Sequence, residues 1–127
     1  DAQFFVYSDE TDFCKRLHDA GWRTLYVPQA RAIHHEQLAT DAEAASRRIV
    51  EFHRNRDLYM RKHHSRAAAA AVRWLTGWSY LMRALMSLLI PGRDPRRYLL
   101  HARQAVAPGR GEGIREAAEK LNAARGH

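Results

Sequence analysis

The sequence predicts an α/β fragment at the front followed by a mainly α-helical tail, and three observations carry that prediction. Short β-prone runs, Phe4-Phe5-Val6-Tyr7, Thr24-Leu25-Tyr26-Val27 and Arg31-Ala32-Ile33-His34, flank one short helical stretch near the N-terminus. From about Asp41 to His64 there is no Gly or Pro, and Ile49, Phe52, Arg56, Tyr59 and Met60 recur with a helical rhythm. The segment Ala67 to Ile90 is the most apolar part of the chain and keeps the same period. The boundary falls after His64, giving an α/β part over residues 1–64 and a helical, basic part over residues 65–127.

The first helix is expected from Ser8 to Gly21. Ser8 can cap it, Asp9, Glu10 and Asp12 place carboxylates beside the free N–H groups of the first turn, and Gly21 supplies the stop. The run Thr24 to Val27 stops at Pro28, and after a brief turn Arg31 to His34 reads as a second short strand, so one or two short strands are expected. A strand-like run begins almost at Asp1 with no turn chemistry before it, which reads as a chain entered midway.

Within Ala67 to Ile90, Arg73, Thr76, Gly77, Tyr80, Arg83 and Ser87 share an arc of about 120°. Trp74, Leu75, Trp78, Leu81, Met82, Leu85, Met86, Leu88 and Leu89 fill the opposite side. Arg73 and Arg83 argue against a simple membrane-spanning helix, so the expectation is an amphipathic helix with a wide apolar face. Pro91-Gly92 ends it, Asp94-Pro95 opens a shorter helix to about Ala107, and Glu112 to Ala124 forms a frayed terminal helix with little to bury.

The net charge of +7 is uneven: residues 1–45 carry eight acidic and four basic side chains, so the remainder carries +11. The basic half is suited to an anionic partner, and phospholipid headgroups fit better than nucleic acid. Its basic residues share their region with a large apolar face, and no nucleic-acid-binding motif is visible. The single cysteine, Cys14, excludes an intrachain disulfide and a multi-cysteine zinc site.

Three clusters could carry chemistry: the acidic helix start, the pair His34-His35, and the basic run containing Arg54, Arg56, Arg61, Lys62, His63 and His64. Each has an ordinary structural explanation on its own, as helix-dipole complements, polar strand ends or a solvated face. Adjacent histidines on a strand point to opposite faces, so at most one of His34 and His35 serves a site.

The order of the pieces adds to this. Phe-Phe-Val-Tyr-Ser-Asp-Glu-Thr-Asp-Phe-Cys-Lys-Arg-Leu, then Ala-Gly-Trp-Arg-Thr-Leu-Tyr-Val-Pro, then Ala-Arg-Ala-Ile-His-His, resembles the acceptor-side, C-terminal part of family 2, GT-A-type glycosyltransferases, especially the bacterial rhamnosyltransferase-like group. The basic run from His53 to His64 is more loosely similar to the segment that follows in those enzymes.

The resemblance implies an inverting transferase in which Glu10 takes a proton from the acceptor hydroxyl and Asp9 shapes the site beside it. It also implies that Asp12, Trp22, Arg54 and Arg56 contact acceptor or phosphate. His34 would help hold a divalent ion, Mg or Mn, on the diphosphate of a nucleotide-sugar donor. The donor-binding half, with its Asp-x-Asp motif, is expected to precede Asp1, so the 127 residues alone are expected to be inactive.

The acidic pair stands in the order Asp9-Glu10 where Glu-Asp is usual in the family, and Ser8 stands where an aromatic is common. The expected acceptor is a lipid-linked or cell-envelope glycan, and the expected location is cytoplasmic, peripheral on the inner face of the cell membrane. The other reading is a non-enzymatic helical module derived from such an enzyme, which docks on a membrane or a protein.

Overall fold

The computed structural model describes residues 1–33, 42–90 and 92–126. Five helices follow in order: α1 (Asp9–Asp19), α2 (Ala42–His63), α3 (Arg66–Ser87), α4 (Pro95–Val106) and α5 (Ile114–Arg125). Among the described residues there is no β-strand, which overturns the α/β prediction.

The reason is specific to each run. Phe4 turns back, its N–H donating to the Asp1 carbonyl at 3.1 Å, and its ring is buried. The Val6 carbonyl accepts from the Asn55 side chain at 2.6 Å instead of from a neighbouring strand. Tyr7 and Ser8 then take left-handed φ angles of 68° and 62°, which bends the chain into α1 and costs about 1 kcal/mol each for residues carrying a Cβ. Thr24 to Val27 has strand-forming side chains but no ladder partner among the described residues, and Leu25 and Tyr26 stand exposed. A strand exists only through pairing, so propensity alone does not make one.

α1 starts without the predicted cap: the Ser8 carbonyl accepts from the Asp12 N–H at 2.9 Å, but the Ser8 side chain makes no capping bond. Its end is as expected. Gly21, at φ 82°, lets the Gly21 N–H reach the His18 carbonyl at 3.0 Å and the Trp22 N–H reach the Leu17 carbonyl at 2.9 Å.

α2 is the central element and packs against α3, α4 and α5. Ile49 and Val50 are buried along it, together with the polar Glu51, His53, Asn55 and Asp57. Each of these has a partner, as a buried polar group must. Glu51 accepts from Asn55 at 3.1 Å, and Asp57 forms a two-pronged pair with Arg73 of α3 at 2.5 and 2.7 Å. That pair raises the pKa of Arg73 above its ordinary value and takes Arg73 out of the cationic stripe expected to meet lipid.

α3 lies chiefly on α4, and the side it buries consists of small residues, Ala69, Gly77, Ala84 and Ser87. The approach is close. A Cβ on Gly77 would fall 2.6 Å from Val106 Cγ2, so only glycine fits without displacing α4. The arc expected to be the polar side of an amphipathic helix thus faces the protein, while Trp74, Leu75, Trp78, Leu85, Leu88 and Leu89 face outward. Among the described residues no helix is long and apolar enough to cross a membrane.

α4 opens as its sequence predicts, with Asp94 accepting from the Arg96 N–H at 2.9 Å and Pro95 in the first turn. α5 buries none of its side chains, and polar contacts hold it. Glu116 pairs with Arg54 at 2.5 Å, and Arg115 donates to the Ala2 carbonyl at 3.0 Å.

Candidate functional site

Asp9 and Glu10 project from the first turn of α1, both exposed, and neither has a hydrogen bond or ion pair among the described residues. Two residues later the situation reverses. Asp12 is fully buried and accepts from Arg16 at 2.9 Å, Lys62 at 2.7 Å and His63 at 2.7 Å. Burial pushes its carboxyl up, but the hydrogen bonds from Lys62, His63 and Arg16 outweigh that and hold it well below the usual carboxylate range. Asp12 therefore fixes α1 to the end of α2, and the free carboxylates beside it are presented from an anchored helix.

The other predicted residues are dispersed. Trp22 is exposed just beyond α1. Arg54 is engaged with Glu116 and with the Gly111 carbonyl at 3.0 Å, so it points to α5. Arg56 is half-buried and places Nη2 3.1 Å from His53 Nδ1. His34 lies outside the described residues. Among the described residues no cluster of three or more His, Cys, Asp or Glu could hold a metal ion, so these residues define no ion site of their own.

A second cluster was not among the predicted residues. His53 Nε2 lies 3.0 Å from His101 Nδ1, and Tyr80 stacks nearly parallel on His101 with ring centroids 4.3 Å apart. Arg56 can only donate, which sets the protons along this chain. His53 Nδ1 accepts, His53 Nε2–H donates to His101 Nδ1, and the His101 proton sits on Nε2. The three rings come from α2, α3 and α4, so no spacing motif could join them. The available signal was the i, i+4 run Ile49, His53 and Asp57, which sets His53 on the stripe of α2 that faces its neighbours.

Both imidazoles are held neutral. Burial first, then the Arg56 and His101 charges, lowers His53 to about 3. Burial and the guanidiniums of Arg97, Arg56 and Arg83 lower His101 to about 4.

The unfolded chain takes up these protons near pH 6.5 and the folded protein does not. Stability should therefore fall as pH drops below 6.5, until the folded-state values are reached. The limiting slope is about 1.4 kcal/mol per pH unit for each proton taken up, over a narrower window for His101 than for His53. Urea unfolding midpoints measured from about pH 7 down to about pH 4 should decline throughout. A flat profile across that range would contradict the neutral pair.

Sequence comparison relates the chain to glycosyltransferases, the class to which the acidic helix start and the order of the front segments also point. The relative is the N-acetylglucosaminyl-diphospho-decaprenol L-rhamnosyltransferase of Mycobacterium tuberculosis, found in two strains. Identity is 30% over 97 residues, which covers 76% of this chain and 31% of the relative. The chain thus matches under a third of that enzyme's length. No family model matches the chain, and no solved structure matches it.

Proposed function

We propose that this chain forms the acceptor-side, C-terminal part of an inverting GT-A-type glycosyltransferase, which moves a sugar from a nucleotide-sugar to a lipid-linked diphosphate acceptor at the cytoplasmic face of the membrane. The observation that carries this reading is the similarity to the rhamnosyltransferase over 76% of the chain. Glu10 is the base. It has no partner among the described residues, and it stands at a helix start fixed by Asp12. Asp9 flanks it, and Trp22 and Arg56 are candidates for acceptor contacts.

A divalent ion, Mg or Mn, would screen the donor diphosphate, with His34 and residues of the donor-binding half as its ligands. The membrane part of the reading rests on α3, whose exposed face combines Trp74, Trp78 and five or more aliphatic side chains, flanked by Arg83, Arg93 and Arg96. The same face favours the second reading, a module that docks on a membrane without catalysis.

The test is transfer of labelled sugar from a panel of nucleotide-sugars to a polyprenyl diphosphate-linked acceptor by the intact protein in membranes. Labelled product in the organic phase supports the reading. No transfer from any donor, with protein that still pellets with anionic vesicles, leaves the docking module as the better account.

A further inference from the structure

A cavity of about 360 Å³ opens between α2 and α4. Ile49, Phe52 and Tyr7 wall it, with Tyr7 and Phe52 packed edge to face at 5.9 Å, and Arg97, His101 and Arg48, the last engaged in an interaction of its own, line it as well. Arg97 has no carboxylate partner among the described residues. His101 lines it, and the Arg56 and His53 chain leaves the His101 proton on Nε2, which makes that nitrogen a donor. Among the described residues, the charges acting on His101 are the guanidiniums of Arg97, Arg56 and Arg83. The larger hollow between α2 and α5, about 610 Å³, differs in this respect, because Glu112 already neutralises Arg47 and Lys120 there.

The Arg97 guanidinium, an imidazole N–H donor and an aromatic wall together suit a phosphorylated group carried on something less polar. We propose that this cavity binds the diphosphate of the lipid-linked acceptor, with Arg97 and the His101 Nε2–H as its donors.

Continuity with the neighbouring surfaces favours a lipid diphosphate over the donor's nucleotide diphosphate. Tyr80 stacks on His101, Arg83 lies 5.2 Å over the Tyr80 ring, and Arg83 borders the exposed apolar face of α3, where an isoprenoid chain would lie. On the other side Tyr7 leads directly through Ser8 and Asp9 to Glu10. The cavity is thus linked through His101 and Tyr80 to the helix that carries the face suited to a tail, and through Tyr7 to the segment that carries Glu10. This inference rests on the transferase reading for its choice of ligand, and its test separates the two.

The experiment measures binding of farnesyl diphosphate, inorganic pyrophosphate, farnesol and a nucleoside diphosphate to the intact protein in detergent, for wild type, Arg97→Gln, Arg97→Lys and His101→Gln. Arg97 is exposed, so its variants leave the fold in place. Farnesyl diphosphate should bind more tightly than pyrophosphate or farnesol. Arg97→Gln should weaken it about tenfold, the loss of one charge-assisted hydrogen bond, with partial recovery in Arg97→Lys and no change for the nucleotide.

Unchanged farnesyl diphosphate affinity in both Gln variants overturns the proposal. So does a loss confined to the nucleotide, which would make this a donor site. If the protein transfers sugar and Arg97→Gln leaves the KM for the lipid acceptor unchanged, the cavity assignment fails while the transferase reading holds. If farnesyl diphosphate binding depends on Arg97 but no sugar is transferred, the site stands and the transferase reading fails.

Discussion

Glu10→Gln should abolish sugar transfer by the intact protein, lowering kcat by about 10²- to 10⁴-fold, while the affinity for nucleotide-sugar and the thermal midpoint stay at wild-type values. The side chain is exposed and makes no contact among the described residues, so its removal costs the fold almost nothing. Gln keeps the length and polarity of Glu but cannot accept a proton at neutral pH. Asp9→Asn, at the adjacent exposed position, should have a smaller effect, because Asp9 shapes the site without carrying the proton. Steady-state kinetics on both variants, with calorimetry for donor binding, checks this; equal losses in the two would assign the base role to neither carboxylate alone.

Asp12→Asn should do the opposite, destabilising the protein by about 2 to 3 kcal/mol. The carboxylate is fully buried and holds Arg16, Lys62 and His63. Its partners are partly hydrated, Arg16 being 45% exposed and Lys62 27%, which sets the cost below that of a fully buried ion pair. Loss of the hub frees α1 from the end of α2, so transfer should fall with stability and recover in part when the protein is stabilised by donor.

The depressed pKa of Asp12 gives the same contribution a pH signature. The stabilisation is complete above the ordinary carboxylate value of 3.8 and is lost as pH falls below it. That window lies below most of the one in which the imidazole pair acts. Urea unfolding of wild type and Asp12→Asn at about pH 7 measures the loss directly, and equal midpoints would remove the structural role.

The contrast between Glu10 and Asp12 shows what could be read in advance. Three carboxylates in a first turn are alike in sequence, and only the fold separates two free ones from one that is fully paired. The helices themselves were legible wherever local chemistry decides. The Gly- and Pro-free run gave α2, Asp94-Pro95 gave the start of α4, and Gly21 gave the end of α1.

The strands were misread because pairing is non-local. Val6 and Thr24–Val27 have the right side chains, but the Val6 carbonyl is taken by Asn55 and the later run has no ladder. In α2 the rhythm marks a helix but not its buried side. Of the residues that carry the rhythm, Ile49 is buried but Phe52 is 36% exposed, whereas His53 and Asp57, which hydropathy passes over, are buried. α3 shows the same limit: periodicity separates its two faces but cannot say which turns inward when the neighbour needs the small residues of Gly77 and Ala84. The imidazole pair, 48 residues apart on different helices, left no spacing motif that joins its members.

The polar interior of α2 also bears on how this fold can be inherited. A core of interchangeable aliphatic side chains drifts one residue at a time, since each swap is a small change of volume. Here Asp57 is matched to Arg73, Glu51 to Asn55 and His53 to His101, so the loss of Arg73, Asn55 or His101 takes a hydrogen-bond partner from a buried side chain. Descendants of this sequence are thus expected to keep or lose such positions as couples, and a lineage that once replaced both members with apolar residues would have little route back through single changes.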